Sequence, residues 1–259
     1  MKEVSERAMS YENRIVCFID ILGFSGLIKS TTSEDEEKAQ KSLNNVCQAL
    51  FFLHDSLNSL FKDNITTTQF SDSIVISFPW HKEDWHMLAV FKAIKHIQIV
   101  LLYKYNLLLR GGIVIGDVIH TDKILVGPAM INAYTLESKC ANSPRIVLDP
   151  KVVYRFNILK NNAKKANITE YGKIIHKDLD DTSYIDYFNV DEDEIFDDES
   201  EKELYFRKLC RMIADNVESS DMSIRMKYLW MRNKLKHSEW YQQPKYSAIY
   251  KQIVTDKKK

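Results

Sequence analysis

Hydrophobic positions follow two spacings over the first 150 residues, and these spacings predict where strands and helices lie. A continuous apolar run over residues 14–22 predicts a buried strand that carries a single acid, Asp20. Apolar residues recur at helical spacing over 34–61 and 84–105, and a third helix is predicted over roughly 128–141. Further strands are predicted at 65–70, 73–78, 107–119 and 144–148.

The resulting order is β-α-β-β-α-β-α-β, which predicts an α+β fold. Two helices that separate paired strands are typical of a ferredoxin-like split βαβ sheet with its helices on one face. Residues 1–150 are therefore predicted to form a single domain. After Pro150 the chain becomes more polar and then acidic. We predict that residues 151–259 are a C-terminal helical extension, packed on the first domain, with helices near 200–217 and 221–237.

Composition narrows the classes of protein that the chain can represent. Hydrophobic residues make up 45% of the 259 positions, which is enough for a sizeable core. The 36 basic and 36 acidic side chains balance, which argues against a nucleic-acid binder. No apolar stretch is long enough to span a bilayer, and the N-terminal residues do not resemble a signal peptide. These features predict a cytoplasmic protein that binds neither nucleic acid nor membrane.

Two aspartates stand out as candidate metal ligands. Asp72 lies between the strands predicted at 65–70 and 73–78, and in a split βαβ sheet that hairpin lies beside the end of the first strand. Asp20 and Asp72 should therefore converge on one sheet edge, where paired carboxylates suit Mg²⁺ or Mn²⁺. Each residue also has a simpler interpretation. Asp20 could cap the turn that follows it, and aspartate is common in tight turns such as that of Asp72.

The residues around Asp20 and before Gly111 suggest an anionic substrate. Gly23 and Gly26 follow Asp20 and would let backbone N–H groups approach a triphosphate at the start of a helix. Arg110 precedes Gly111 and could hold a phosphate through two hydrogen bonds. The alternative for Arg110 is an ordinary surface arginine at a strand edge.

Four segments, in this order along the chain, resemble the catalytic domain of class III adenylate and guanylate cyclases. They are residues 18–25 (FIDILGFS), 70–73 (FSDS), 110–116 (RGGIVIG) and the helix over 127–137. The resemblance covers about residues 14–150 and implies two Mg²⁺ or Mn²⁺ ions per active site. It implies that the metal ligands are Asp20, Asp72 and the carbonyl of Ile21. It also implies that the phosphates are bound by Arg110 and by the backbone of Gly23, Phe24 and Ser25.

The chain departs from the purine cyclases at positions that read the base. Those enzymes use a lysine where this chain has Thr68 and an aspartate where it has Ile124. Their transition-state asparagine and arginine are replaced by Ile131 and Thr135. This combination is similar to the bacterial pyrimidine cyclases of Pycsar antiphage defence, which make cyclic UMP or cyclic CMP. By that resemblance, Thr68 and Ile124 would face the base.

The resemblance implies a homodimer with active sites at its interface, and a downstream effector that binds the cyclic product. The substrate would be UTP or CTP. The group that replaces the missing transition-state residues stays open among Asn132, Lys139 and Arg145. Two alternatives remain: a catalytically silent cyclase-homology module that binds a nucleotide, and a purine nucleotide cyclase. The acidic stretch 191–203 could bind cations or a basic partner, although such runs are usually solvated loops.

Overall fold

The structure is a computed structural model that describes residues 10–60, 65–79, 84–165, 174–190, 196 and 198–257. Part of the acidic stretch, residues 191–195 and 197, lies outside this range. The described strands are β1 (Glu12–Ile21), β2 (Thr66–Phe70), β3 (Ser73–Pro79), β4 (Leu109–His120), β5 (Leu125–Val126), β6 (Ile146–Leu148), β7 (Ile175–Lys177) and β8 (Ser183–Ile185). They form one mixed sheet in the order β2-β3-β1-β4-β6-β8-β7, and β5 pairs with β4 outside this path.

The described helices are α1 (Phe24–Ser30), α2 (Glu36–Leu60), α3 (Asp84–Val100), α4 (Pro128–Cys140), α5 (Pro150–Lys165), α6 (Glu199–Asn216), α7 (Met222–His237), α8 (Glu239–Gln242) and α9 (Pro244–Asp256). A π-helical turn, Leu101–Tyr105, continues α3. The order of β1 to β4 with their intervening helices confirms the predicted α+β fold with a split βαβ sheet. Of the helices that the structure describes, none combines the length and apolar character needed to cross a membrane.

Alternate residues of β1 face two different hydrophobic cores. Ile15 and Cys17 join the core that packs against α2, α3 and α5, whereas Val16 and Phe18 join the core formed with α4. The two helices that separate the paired strands, α2 and α3, share one face as predicted, and α4 packs on the other. Helix α4 is the crossover connection between the parallel strands β4 and β6, and it is not one of the helices that separate the paired strands. Glycines on β4 let α4 approach closely, as described below.

The segment after residue 150 is continuous with the first core. Strands β7 and β8 extend the sheet beyond β6, so the boundary drawn at residue 150 divides one sheet. Helix α5 contributes Val152, Phe156 and Leu159 to the first core. Helices α6 to α9 build a second core, which also contains Leu102 and Leu108 from around the π-helical turn and β4. The predicted helices near 200–217 and 221–237 correspond to α6 and α7.

A buried ionic network joins the start of β6 to helix α7. The Arg145 guanidinium donates to Asp178 at 2.5 Å, and Asp178 also accepts from Trp230 Nε1 at 2.7 Å. Lys234 forms a further ion pair with Asp178. Arg145 is thus committed to structural partners. This makes it a poor candidate for the missing transition-state arginine.

Candidate active site

Asp20 lies at the centre of a polar cluster on the sheet face that α4 covers. In the strand register it pairs with Ser73 of β3 on one side and Arg110 of β4 on the other, so the three side chains share a face. Ser73 Oγ donates to Asp20 Oδ1 at 2.9 Å. Arg110 Nε and Nη2 donate to Asp20 Oδ2 at 3.1 and 3.0 Å. The strand register alone therefore brings the predicted phosphate ligand to the predicted metal ligand.

Asp72 meets Asp20 from the tip of the β2–β3 hairpin. The two-residue turn consists of Ser71 and Asp72, and Ser71 adopts the left-handed conformation with φ of 56°. The two carboxyl groups are close enough for each to interact with the other's charge. Burial raises the pKa of Asp72, and the negative charge of Asp20 raises this pKa further. A cation bound beside both carboxylates would offset the repulsion between them.

Glu137 is a further acid at this cluster, and it was not among the predicted site residues. It follows Ala129 and Ala133 at four-residue intervals, so it lies on the buried face of α4. Glu137 Oε1 is 2.7 Å from Arg110 Nε, but that N–H points at Asp20, which leaves an ionic contact without an aligned hydrogen. Burial raises the pKa of Glu137, while the charge of Arg110 acts in the opposite direction. Glu137 therefore anchors Arg110 from helix α4.

The donor set at this edge fits a divalent cation that is shared with a substrate. Mg²⁺ is usually held by one or two carboxylates and completes its shell with phosphate oxygens and water. Asp20 and Asp72 supply two neighbouring carboxylates. Within the described ranges, no group of three or more His, Cys, Asp or Glu side chains is arranged to hold a metal. The remaining ligands would have to come from the backbone, water or a bound triphosphate.

Residues 21–25 lead directly from Asp20 into a helix. Ile21 ends β1 with its side chain buried in the first core. Gly23 is the N-cap of α1 with φ of 79°, a conformation that glycine adopts without strain. Phe24 and Ser25 form the first turn of α1, where backbone N–H groups have no partner within the helix. The predicted phosphate-binding backbone thus lies at the same sheet edge as Asp20.

Of the two predicted base-reading positions, Thr68 contacts His120, whereas Ile124 lies in the connection between β4 and β5. Thr68 Oγ1 is 2.9 Å from His120 Nε2, and His120 Nδ1 is 2.9 Å from Ser77 Oγ. Leu125, which follows Ile124, pairs with His120 across the β4–β5 ladder. His120 was not identified from the sequence. A histidine at the end of an apolar strand gives no sign of its partners.

Helix α4 shows aliphatic and hydroxyl side chains where purine cyclases carry the transition-state pair. Ile131 is 66% exposed, and the Thr135 hydroxyl donates to the carbonyl of Ile131 at 2.7 Å. Between them Tyr134 packs edge-on against Phe18 of β1. Asn132 and Lys139 are exposed on the same helix. The Thr135 hydroxyl is thus engaged within its own helix.

Comparison with known proteins gave similarities only among solved structures. No protein-family model matches the chain. No curated protein matches it. The adenylyl cyclase CyaB from Pseudomonas aeruginosa is similar at 14% identity, with 72% of this chain and 98% of that chain covered and a TM-score of 0.48.

Two further solved structures are similar. The guanylate cyclase domain of RhGC from Catenaria anguillulae, in complex with GTP, has 17% identity, covers 69% of this chain and 98% of that chain, and has a TM-score of 0.48. A class III adenylyl cyclase-like ATP-binding protein from Pseudomonas aeruginosa has 11% identity, covers 84% and 63%, and has a TM-score of 0.44. At TM-scores below 0.5 these similarities carry no conclusion about activity, which has to come from the residues at the sheet edge.

Proposed function

We propose that this chain is a metal-dependent pyrimidine nucleotide cyclase. It converts UTP or CTP into the 3′,5′-cyclic monophosphate and pyrophosphate. The observation that supports the proposal most strongly is that Asp20 and Asp72 lie at one sheet edge within reach of each other's charge, with Arg110 hydrogen-bonded to Asp20. The segments that carry these residues are those that resemble class III cyclases.

Asp20, Asp72 and the carbonyl of Ile21 would hold Mg²⁺ or Mn²⁺, two ions per site. When bound, these cations neutralise the triphosphate and lower the pKa of the ribose 3′-hydroxyl. Ser73 steadies Asp20 through its 2.9 Å hydrogen bond and so fixes the direction in which the carboxylate points. Because burial raises the pKa of Asp72, cation binding to its carboxylate would be favoured as the pH rises.

Arg110 could exchange its hydrogen bonds to Asp20 for hydrogen bonds to a substrate phosphate. Its side chain is 33% exposed, so the guanidinium is reachable from solvent. Arg110 would release Asp20 and donate to a phosphate oxygen while Glu137 keeps it in place. The backbone N–H groups of Phe24 and Ser25 would bind a second phosphate at the start of α1. These donors favour the charge that develops on the departing pyrophosphate.

The pyrimidine assignment is supported by the residues at the base-reading positions. Thr68 and Ile124 replace the lysine and aspartate by which purine cyclases recognise their base. Ile124 is 39% exposed and cannot hydrogen-bond through its side chain, so it would select by shape. Thr68 offers a hydroxyl. This pair lacks the charged groups that a purine-reading site requires.

The resemblance to Pycsar cyclases places the reaction in a wider context. We propose a homodimer with active sites at its interface. The location would be the cytoplasm, where nucleoside triphosphates are available. The cyclic product would act on a separate effector during antiphage defence.

The decisive experiment offers each of the four ribonucleoside triphosphates to the full chain with Mn²⁺ or Mg²⁺ and identifies products by mass. We expect cyclic UMP or cyclic CMP. Asp20→Ala and Asp72→Ala should each lower turnover by roughly a hundred-fold or more. Asp117→Ala is the matched control, because Asp117 lies on the same sheet but bonds only Asn13 among the contacts shown. Turnover that survives in both site variants would refute the proposal, products from ATP or GTP alone would favour a purine cyclase, and binding without product would favour a silent module.

A further inference from the structure

A chain of four polar side chains crosses the α4 face of the sheet from Arg14 to Thr68. Arg14 Nε donates to Ser77 Oγ at 2.9 Å. Ser77 Oγ is 2.9 Å from His120 Nδ1, and His120 Nε2 is 2.9 Å from Thr68 Oγ1. Arg14, Ser77 and His120 are buried, whereas Thr68 is half-buried. Only the Thr68 end of the chain is therefore accessible to a ligand.

The direction of the hydrogen bonds in this chain follows from the arginine. Arg14 is always a donor, so Ser77 Oγ accepts from it. Ser77 is fully buried, and among the described residues His120 Nδ1 is the only further partner shown for its hydroxyl hydrogen. A buried hydroxyl hydrogen without an acceptor is costly, so Ser77 donates to Nδ1.

His120 then has its single proton on Nε2. Burial and the charge of Arg14 lower the pKa of His120 to about 4, so the ring is neutral at pH 7 and carries one N–H. With Nδ1 accepting from Ser77, Nε2–H donates to Thr68 Oγ1. The hydroxyl hydrogen of Thr68 has no acceptor among the contacts shown. It is left for a ligand.

We infer that His120 sets the Thr68 hydroxyl as a hydrogen-bond donor toward the nucleobase, so that the site selects a base with a keto edge and takes UTP in preference to CTP. This inference rests on the proposed function. Uracil presents the O4 carbonyl, which accepts a hydrogen bond, where cytosine presents an amino group, which donates one. The bond from His120 occupies one of the two lone pairs of Thr68 Oγ1 and directs the hydroxyl hydrogen away from the imidazole, which favours donation to the uracil carbonyl over acceptance from the amino group of cytosine.

His120 acts through Thr68 and is thus a positioning residue. Without it the Thr68 hydroxyl could rotate and accept from an amino group as readily as it donates to a carbonyl. Removing His120 should therefore reduce the preference between the two pyrimidines more than it reduces binding of the triphosphate. That separation distinguishes a positioning role from a general loss of structure.

The test is a comparison of kcat/KM for UTP and for CTP. We expect wild type to prefer UTP by about ten- to one-hundred-fold. Thr68→Val, which keeps the shape but lacks the hydroxyl, should bring the ratio close to one. His120→Leu should do the same, and the Thr68→Val/His120→Leu double variant should show no further loss, because both act through one bond. His120→Gln should retain the preference, since its amide offers a donor and an acceptor separated by one carbon, as the two imidazole nitrogens are.

Thr66→Val is the matched control. Thr66 lies on the same strand and face as Thr68 and receives only a long 3.4 Å hydrogen bond from Arg14. This variant should leave the UTP/CTP ratio unchanged. If wild type prefers CTP, or if Thr68→Val keeps the wild-type ratio, this inference is wrong while the cyclase assignment stands. If no triphosphate yields a cyclic product, the proposed function fails and the inference fails with it.

Discussion

Gly112 lets α4 lie directly on β4, and alanine at this position tests how tightly the two elements fit. A Cβ atom at Gly112 would lie 2.4 Å from the carbonyl oxygen of Ala133 and 3.0 Å from the amide nitrogen of Glu137. Both are backbone atoms, so no side-chain rotation can relieve the overlap. Ordinary contact begins at 3.4 Å, so the helix and strand have to separate by about 1 Å.

The expected cost of Gly112→Ala is about 3 kcal/mol, the upper end of the range for overpacked cores. A separation of this size also draws Glu137 away from Arg110, so kcat/KM should fall by about a hundred-fold. Gly116→Ala is the matched control, because the shortest contact of its Cβ would be 3.2 Å to the Ala129 Cβ, and the Ala129 backbone atoms lie at 3.7 Å and 4.0 Å. It should cost less than about 1 kcal/mol. Urea unfolding followed by far-ultraviolet circular dichroism measures both variants, and equal stabilities would refute the packing argument.

Three further changes probe single contacts. Glu137→Gln keeps the shape but removes the charge that anchors Arg110, so steady-state kinetics should show a roughly ten-fold lower kcat/KM, and an unchanged value would contradict the anchoring role. Asp180→Asn tests acid stability. The Arg145 guanidinium holds the pKa of Asp180 well below its usual range, so this carboxylate stabilises the fold above its unfolded pKa and loses that effect as pH falls below about 5. The melting temperature of the variant should fall less steeply than that of wild type as the pH is lowered. An identical pH dependence below about pH 5 would argue against this pairing. Ser71→Val places a β-branched residue at φ of 56° and should cost about 1–2 kcal/mol by thermal unfolding, while Ser71→Gly should cost nothing; equal losses would exclude backbone strain.

The fold could be predicted where a segment carries its own periodicity. The hairpin at Ser71-Asp72 follows from two β-rich runs around a short polar turn, and α2 follows from its apolar stripe. Strands β7 and β8 have only three residues each, too few for an alternating pattern to show. The face chosen by α4 depends on close approach to Gly112, and no local pattern in the helix encodes that contact.

The site residues also fall into two groups: some are placed by strand pairing, which the sequence predicts, and others by tertiary contacts, which it does not. Asp20, Asp72 and Arg110 come together because strand order and pairing place them at one edge, and strand order can be predicted from sequence. Glu137 reaches Arg110 only because of the orientation of α4. Its signal was an acid in line with two buried alanines on one helical stripe. His120 depends on contacts with side chains on β2 and β3, which lie more than 40 positions away.

The extension contributes to the geometry of the site through Arg145. The carbonyl of Arg145 accepts from the amide of Gly111, the residue after Arg110, at 3.2 Å. Its guanidinium donates to the carbonyl of Cys140, the last residue of α4, at 3.0 Å. A cation this buried is costly unless its acid partners stay in place, and Asp178 comes from beyond residue 150. The extension therefore fixes the C-terminal end of α4 relative to β4, while Gly112 sets the spacing along the helix, and both constraints are needed to keep Glu137 against Arg110.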